Sequence, residues 1–398
     1  MAVIVMGTAL PVAAQDTLVV EADNPPVWGD APTLVEELRI GTVEGDPDTS
    51  FGLIAGIEVD SAGVIWVADT QGPALRRFSP EGSFLGYVGR AGEGPGEFQG
   101  LAGIRRLGDD RMATWDAHAG RFSVFDLSGR FLSSATHYVG VLYAPDVFVV
   151  DRADHFLIRT MRFDAGADRS APRRSVWLRI DEDGVLQDSV QVPPHGRTVL
   201  GGRDYPFGYM PPFESIMISA MGPDGVLVYA NTGQYALQRR LGDGRIIEIR
   251  RPWDAVPVDP GEREQYRALA RHVATLWGPQ YTDDVPSMKP PIWALRVDAD
   301  GRYWVATHSP GYYVPETDAE RERRRELIEY RGSEPPPFEW WEPLVVDVID
   351  PRGQFLGAIR LPNNRIRLGE ARGMHVWAIE SGEFGEEYVV RYRIEPSR

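Results

Sequence analysis

The chain has 398 residues, contains no cysteine and carries a formal net charge of −16. The absence of thiols excludes disulfides and thiolate metal sites, and so acidic a chain is a poor nucleic-acid binder because phosphate contacts need a basic surface. With 43% hydrophobic and 10% aromatic residues the chain can build a large core. No segment offers the ~20 consecutive apolar residues that a membrane span requires.

The first residues, 1–15, combine a short apolar run with small residues around Val12, Ala13 and Ala14. This pattern is typical of the end of a secretory signal peptide and predicts a periplasmic or extracellular protein, the alternative being an apolar tail without structure. Residues 16–33 are predicted to be a linker, since Pro25 and Pro26 disfavour regular structure.

A stretch from Gly56 to Gly89 predicts four short strands joined by tight turns. Ile57 and Val59 alternate before a turn that ends at Gly63, and a β-branched and aromatic run follows. Glycine accepts positive φ, which suits the ends of such turns. A meander of roughly 35 residues cannot bury both of its faces alone, so it needs neighbours of the same kind.

The same pattern recurs along the rest of the chain, with further copies starting at Gly103, Asp146, Ile216, Trp293 and Arg372. The last copy is one strand short, and residues 34–43 match the outer strand of the first copy. An N-terminal strand that completes the last blade closes the ring and leaves no open sheet edge. The sequence therefore predicts one all-β domain over 34–395, a six-bladed β-propeller of four-stranded antiparallel blades.

The first two copies, with IWVADTQGPALRRFSPEGSFLGYVG followed by GEGPGEF in the first, resemble NHL repeats. The chain as a whole is similar to bacterial secreted six-bladed propellers of that class. NHL repeats usually carry an Asn and then an Arg shortly after the Asp of the ADT corner, whereas Gln71-Gly72-Pro73 and His118-Ala119-Gly120 stand here. The resemblance implies the fold and an interaction platform, and the departures put a particular NHL binding mode in doubt.

Connection lengths separate the two faces of the predicted disc. All long connections fall between second and third strands or between blades, and they occupy 90–100, 161–174, 193–213 and two insertions at 251–290 and 309–342. The first insertion predicts a helix over Pro260 to Trp277 with Asp259 as its N-cap and Glu262 three residues on as a capping box, and the second predicts a charged helix from Glu316. We call the built-up side the loop-rich face and the opposite side the trimmed face.

Four aromatic residues flank the second insertion, namely Tyr312, Tyr313, Trp340 and Trp341. Exposed aromatic side chains with polar edges suit glycan or peptide binding, whereas buried ones form a hydrophobic lid. The sequence leaves both interpretations open.

Alignment of the copies places one polar residue per blade at the loop-rich end of the second strand. These residues are Asp69, Asp116, Arg159, Asn231, Thr307 and Glu380. His118 and His308 follow two of them. The carboxylate, amide and hydroxyl oxygens are ligands suited to Ca²⁺ or Mg²⁺. Alternatively, the aspartates cap the turns at these corners with their own carboxylates.

Two functions follow from this sequence. The first is a noncatalytic secreted binding module that recognises a peptide, a glycan or a protein through its loop-rich face, acts as a monomer and needs no cofactor. The second resembles gluconolactonase and related six-bladed enzymes, a lactonase-like hydrolase or lyase that depends on Ca²⁺ or Mg²⁺. In that case Asp69, Asp116, Asn231 and Glu380 would hold the metal and His308 would act as the general base.

Overall fold

Six four-stranded antiparallel sheets form a propeller ring in the computed structural model, which confirms the predicted fold class. The structure describes residues 17–43, 46–137, 148–162, 174–193, 212–277, 284–331, 334–382 and 385–397. The predicted signal segment, 1–15, lies outside this part of the chain, as do most of the connections at 161–174 and 193–213.

The strands of each blade run from the axis outward in chain order. Blade one consists of Ile54–Val59, Ile65–Asp69, Ala74–Phe78 and Phe84–Val88, and blade two of Leu101–Leu107, Arg111–Asp116, Arg121–Asp126 and Phe131–Thr136. Blade three consists of Phe148–Val150, Phe156–Arg162, Arg174–Ile180 and Leu186–Gln191, and blade four of Met217–Met221, Leu227–Asn231, Ala236–Arg240 and Ile246–Arg250. Blade five consists of Ile292–Val297, Tyr303–Thr307, Val345–Ile349 and Phe355–Arg360.

Blade six is completed by the N-terminal part of the chain, as predicted. Its strands are Ile366–Arg372, His375–Ser381, Glu387–Glu395 and, on the outside, Thr33–Ile40. An ion pair of 2.5 Å between Arg39 and Glu380 joins this outer strand to the second strand of the blade. The ring is therefore closed by backbone pairing between the two ends of the chain.

The short turns of the trimmed face are stabilised by aspartates at their first position. In blade one, the Oδ1 atom of Asp60 accepts hydrogen bonds of 2.9 Å from the backbone N–H groups of Ala62 and Val64, and Gly63 takes the φ of +82° that ends the turn. Asp151 and Asp298 make the same contacts in blades three and five. An Asx turn of this kind needs only local residues, so each copy can form it independently.

Residues 16–33, predicted to be an irregular linker, contain a strand. Thr17–Glu21 pairs in parallel with Ile246–Arg250 and adds a fifth strand to the outside of blade four. The two prolines follow this strand and so do not interrupt it. Beyond them, the backbone N–H group of Trp28 donates a hydrogen bond of 2.7 Å to the carbonyl of Leu356 in blade five.

The core lies between neighbouring blades. Each of the six interfaces holds one cluster of buried apolar side chains drawn from the two sheets that meet there. At the interface of blades two and three, the rings of Phe122 and Phe156 stack with centroids 4.4 Å apart. The propeller is thus a ring of similar interfaces, and each sheet depends on both of its neighbours.

Two helices lie in the insertions on the loop-rich face, α1 (Pro260–Trp277) and α2 (Asp318–Arg331). The Oδ1 atom of Asp259 accepts a hydrogen bond of 2.7 Å from the N–H group of Gly261, in agreement with the predicted N-cap. Short strand pairs accompany the helices: Val256–Pro257 with Met288–Lys289, and Tyr312–Tyr313 with Trp340–Trp341. Within the described ranges, no helix combines the length and apolar character needed to cross a membrane.

Truncation of Ile40, a closing-strand residue that is 3% exposed, tests the closure of the ring. We expect Ile40→Ala to lower the free energy of unfolding by about 2–5 kcal/mol, because the cavity left between blades six and one cannot refill. Val43→Ala, at an aliphatic residue that is 54% exposed just beyond the strand, is the matched control and should change it by less than about 0.5 kcal/mol. Urea denaturation measures both, and equal small losses would show that the closing strand contributes little.

Candidate functional site

The second strands do bring polar residues to the loop-rich ends of the blades, with one difference from the predicted set. Counted from the turn that precedes each second strand, Thr160 in blade three occupies the place of Asp69 in blade one, and Arg159 lies one residue earlier. The Arg159 guanidinium instead lies over the ring of Trp177, 5.9 Å from its centroid. An offset of one residue turns a strand side chain to the other face of the sheet. Arg159 therefore does not belong to the set of polar residues at the loop-rich ends of the second strands.

Asp69 and Asp116 are bound by the backbone of the loops beside them. Asp69 accepts hydrogen bonds from the N–H groups of Gly52, Leu53 and Gln71 at 3.0–3.2 Å, and it pairs with Arg76 at 3.1 Å. The Asp116 carboxylate accepts three such bonds, from Gln99, Gly100 and Ala119. These contacts match the corner-capping alternative and link each second strand to the loop that enters its blade.

The other predicted metal ligands are also held by protein groups. Glu380 binds Arg39, the Asn363 amide at 2.6 Å and the Tyr392 hydroxyl at 3.0 Å. The Oδ1 atom of Asn231 accepts a bond of 2.9 Å from the N–H group of Gly233, and Thr307 donates to the carbonyl of Val345 at 3.4 Å. Among the described residues no group of three or more His, Asp or Glu side chains is placed to hold a metal ion.

A buried ionic network lies beneath α1. Lys289, the only lysine in the chain, has a fully buried side chain and contacts Glu262 at 2.7 Å and Glu342 at 2.8 Å. Its ammonium group also donates to the carbonyl of Ser309 and lies 5.2 Å from the centroid of Phe213. This network connects α1, through Glu262, to Lys289 near the end of the first insertion and to Glu342 at the end of the second. Sequence reasoning overlooked it because the three charged residues are far apart in the chain.

His308, the predicted general base, belongs to the same network. Its Nδ1 atom lies 3.0 Å from Oε2 of Glu342, and its ring packs against Phe213 with centroids 5.3 Å apart. Burial raises the pKa of Glu262, against the opposing charge of Lys289. Burial alone would raise the pKa of the Glu342 carboxyl, but the hydrogen bonds from His308 and Lys289 outweigh burial and lower that pKa. His308 therefore stabilises the network.

The four predicted aromatic residues divide into two cross-strand pairs, Tyr312 with Trp341 and Tyr313 with Trp340. Neighbouring side chains of a strand point to opposite faces, so the two pairs have different surroundings. The ring of Trp340 lies so close to Gly261 of α1 that a Cβ atom there would be 2.9 Å from it, so this residue packs as a lid. Tyr312 and Trp341 line an open groove instead.

This groove on the loop-rich face has a volume of about 450 Å³. Its other walls come from the start of α2, with Thr317 and Glu320, and from the connection between blades five and six. That connection contributes Asn363, Asn364 and Arg365. Tyr312 is 43% exposed, so its ring is available to a ligand.

His118 is exposed at the corner of blade two, where its Nδ1 atom lies 3.2 Å from the carbonyl of Gln99. It lines neither the groove nor the cavity described next. Of the predicted site residues, the structure brings together the two aromatic pairs, Tyr312 with Trp341 and Tyr313 with Trp340, and the first pair lines the groove.

The axial channel holds the larger cavity, about 520 Å³, and it opens on the trimmed face between the turns of blades two to five. Its charged lining includes Glu58, Arg105, Arg296, Glu370 and Arg372, all from first strands or their ends. Sequence reasoning missed these residues because it followed the second strands. The available signal was the charged side chains on the innermost strands of blades one, two, five and six, since the corresponding strands of blades three and four carry apolar or small ones.

Inside the channel the carboxyl groups of Glu58 and Glu370 have raised pKa values. Burial, together with the nearby charge of Glu58, raises the pKa of Glu370 to about 8 against the opposing arginines. Burial also raises the pKa of Glu58, with Arg105 and Arg372 opposing it. At neutral pH the pair therefore keeps a proton that isolated carboxyl groups would have lost.

The fold and these sites define the chain as a six-bladed β-propeller, and comparison with known proteins agrees at the level of the fold. No family model matches the chain and no curated protein matches it, so the likeness to NHL repeats rests on the residues of the first copies alone. A member of the DUF4221 family from Bacteroides vulgatus superposes with a TM-score of 0.53 at 11% identity, covering 92% of this chain and 99% of the other.

Two further solved structures cover a similar share of this chain with lower TM-scores. An exported protein of Bacteroides fragilis superposes with a TM-score of 0.49 at 10% identity, covering 95% of this chain and 99% of that one. Regucalcin, a calcium-binding protein of Agrobacterium tumefaciens, has a TM-score of 0.39 at 10% identity, covering 93% and 97%. Identities of this order show the fold and leave the function to the residues of the site.

Replacement of Asp116 separates a corner cap from a metal ligand. We expect Asp116→Ala to lower the free energy of unfolding by about 2–3 kcal/mol, because three backbone N–H groups lose their acceptor. The loss should be the same with added Ca²⁺, Mg²⁺ or chelator in thermal melts. Asp243→Ala, at an exposed turn aspartate, is the control. A melting temperature that rises with a cation in the wild type alone would instead identify a metal site.

Replacement of Lys289 tests the network under α1. Lys289→Met leaves two buried carboxylates without their cation, and we expect it to lower the free energy of unfolding at pH 7 by about 3–5 kcal/mol. The loss should shrink as the pH falls and the carboxylates become protonated. The double variant with Glu262→Gln should recover part of it, whereas the exposed control Arg245→Met should change stability by less than about 0.5 kcal/mol. Urea denaturation at pH 5 and pH 7 provides the comparison.

Proposed function

We propose that the protein is a noncatalytic binding module that works outside the cytoplasm and holds a glycan in the groove of its loop-rich face. The observation that carries this proposal is the pair of exposed Tyr312 and half-buried Trp341, which shares the groove with a row of amide and guanidinium groups. The location outside the cytoplasm is supported by the signal-like pattern of residues 1–15.

The aromatic wall suits the face of a sugar ring. Tyr and Trp are large and rigid, and each combines an apolar face with a polar edge. Pro343 and Pro362 add to the apolar lining of the groove. A pyranose ring presents C–H groups on one face and hydroxyl groups around its rim, so it can stack on this wall while its rim stays polar.

The polar wall offers donors and acceptors in a fixed arrangement. The Oδ1 atom of Asn363 accepts a bond of 2.8 Å from the N–H group of Arg365, and its amide nitrogen binds Glu380, so the loop is anchored to blade six. The guanidinium of Arg365 binds the carbonyl of Gly382 at 3.2 Å. Asn364 lies between these two anchored residues, is half-buried and lines the groove. Ligand hydroxyls would meet groups that need little reorganisation.

The start of α2 forms the third wall and is fixed by a capping box. The Thr317 N–H group donates to Glu320 at 2.9 Å, and the Glu320 N–H group donates to the Thr317 hydroxyl at 3.2 Å. Glu320 also lies 3.8 Å from Arg365. Because cationic and anionic groups face each other, the groove favours an uncharged polar ligand over a strongly charged one.

Loss of the aromatic wall should remove binding. On a glycan array, or in titration with the best array ligand, we expect Trp341→Ala and Tyr312→Ala each to weaken binding about tenfold or more, since a stacked aromatic is worth more than its area alone. Trp293→Ala and Tyr87→Ala are matched controls, at aromatics 43% and 47% exposed outside the groove. Their affinities should equal that of the wild type.

Two outcomes of these experiments would contradict a glycan site. If the array shows no ligand and a peptide library selects sequences whose binding depends on Trp341, the groove is a peptide site. If neither library yields a ligand that Trp341→Ala or Tyr312→Ala weakens, the groove is not the binding surface.

A further inference from the structure

We propose that the axial channel is a second binding site, which takes a small organic carboxylate with an apolar body from the trimmed face. This site is separate from the groove, since none of the residues that line one lines the other. The proposal rests on the shape of the channel, three of the five guanidinium groups that line it, one buried carboxyl oxygen and one apolar wall.

The channel has the dimensions of a small-molecule site. Its volume of about 520 Å³ falls within the range of ligand pockets, and it is lined by the innermost strands of all six blades. Each of these strands pairs with the second strand of its blade and is joined to it by a short turn. Groups projecting from them are therefore positioned more rigidly than groups on the long loops.

Backbone contacts orient the three guanidinium groups. Arg296 donates to the carbonyl of Gly369 at 2.9 Å, and Arg105 donates to the carbonyl of Ile104 at 2.7 Å. Arg372 donates to the carbonyl of Val59 at 3.3 Å. A planar guanidinium matches a carboxylate through two parallel N–H donors, and prior orientation lowers the cost of binding.

Glu370 has a buried oxygen atom, Oε1, with no hydrogen-bond partner in the described part of the chain. A buried polar atom left in this state is costly, so it marks a place where a partner belongs. Because the pKa of Glu370 is about 8, its carboxyl group is mostly protonated at neutral pH and can donate an O–H bond to an anionic oxygen.

The remaining wall of the channel is apolar. Blade three contributes Val149 and Val150, blade four contributes Ala220 and Met221, and blade five contributes Val297. An inorganic anion would leave this wall facing water, whereas the hydrocarbon part of an organic acid would cover it. The charged groups and the apolar wall together therefore favour an organic anion.

The charge balance makes the site dependent on pH. The groups that act on Glu370 are Glu58 from blade one, Arg105 from blade two, Arg296 from blade five and Arg372 from its own strand. With Glu370 protonated, these three arginines face at most one carboxylate, that of Glu58, and an anion is attracted. The other carboxylates of the lining lie at the channel mouth, and each pairs with an arginine other than these three; they are Asp109, Asp151, Asp154 and Asp298. Above pH 8 Glu370 ionises, loses its donor and repels the ligand.

Isothermal titration with hexanoate, acetate and inorganic phosphate tests the proposal. We expect hexanoate to bind at least tenfold more tightly than acetate, because only its chain covers the apolar wall, and phosphate to bind no better than acetate. Affinity for hexanoate should fall between pH 7 and pH 9. Phosphate binding as tight as that of hexanoate, or no binding of hexanoate at pH 7, would overturn the proposal.

Two variants assign the binding to the channel. Arg105→Gln should weaken hexanoate binding about tenfold or more, as expected for the loss of a charge-assisted bond. Glu370→Gln keeps a neutral donor, so it should bind hexanoate at pH 7 and lose much of the decline toward pH 9. The control Arg245→Gln, at an exposed arginine of blade four, should behave as the wild type. Binding that responds equally to Arg105→Gln and Arg245→Gln would refute the assignment.

The pH dependence of the stability of the unliganded protein tests the protonation of Glu370 separately. This measurement does not depend on whether Arg105→Gln folds. The folded-state pKa of Glu370 lies above its ordinary value of 4.5. The unfolded state therefore holds fewer protons than the folded state between about pH 4.5 and pH 8, and stability should fall as the pH rises through this window. Glu370→Gln should flatten this fall in urea denaturation, and an unchanged slope would contradict the assigned protonation.

Discussion

Pairing between the outer strand Thr33–Ile40 and the last strand Glu387–Glu395 is the constraint on which the other features depend. An open six-sheet array would expose the apolar faces of blades one and six and an unpaired strand edge. The seam is reinforced across blades, since the N–H group of Ile54 donates to Glu387 at 2.5 Å and Arg367 pairs with the same carboxylate at 2.6 Å. Closure places the six innermost strands around one axis, and it thereby creates the channel.

The two faces of the ring differ because their connections differ in length. On the trimmed face, Asx turns finish the inner hairpins of blades one, three and five within a few residues and leave the channel mouth open. On the loop-rich face, two insertions meet over Lys289, whose two carboxylate partners come from α1 and from the segment after α2. Burial of this ionic network fixes both insertions relative to blade five. The groove is then lined by three segments, 312–320, 341–343 and 360–365.

The fold was predictable to a large extent. In each copy, period-two patterning predicts the strands, and Asp and Gly at set positions predict the turns. The closing strand and the start of α1 at Asp259 were predictable for the same local reasons. The added strand Thr17–Glu21 was not, since its partner is 229 residues away and parallel pairing has no local signal. The site was less predictable. Asp69 and Asp116 have the residue types of metal ligands, and only the positions of nearby backbone N–H groups show how their oxygens are used.

The sequence by itself determined the repeats, their number, the side that carries the insertions and the aromatic residues flanking one of them. These follow from local propensity and turn chemistry, which act over a few residues. Only the tertiary structure decided that Trp340 packs while Trp341 lines a groove, that Thr160 rather than Arg159 completes the ring, and that Glu370 shares a channel with Glu58 and three arginines. Burial and the resulting pKa of Glu370 depend on groups from four blades, and their distances are set by closure of the ring.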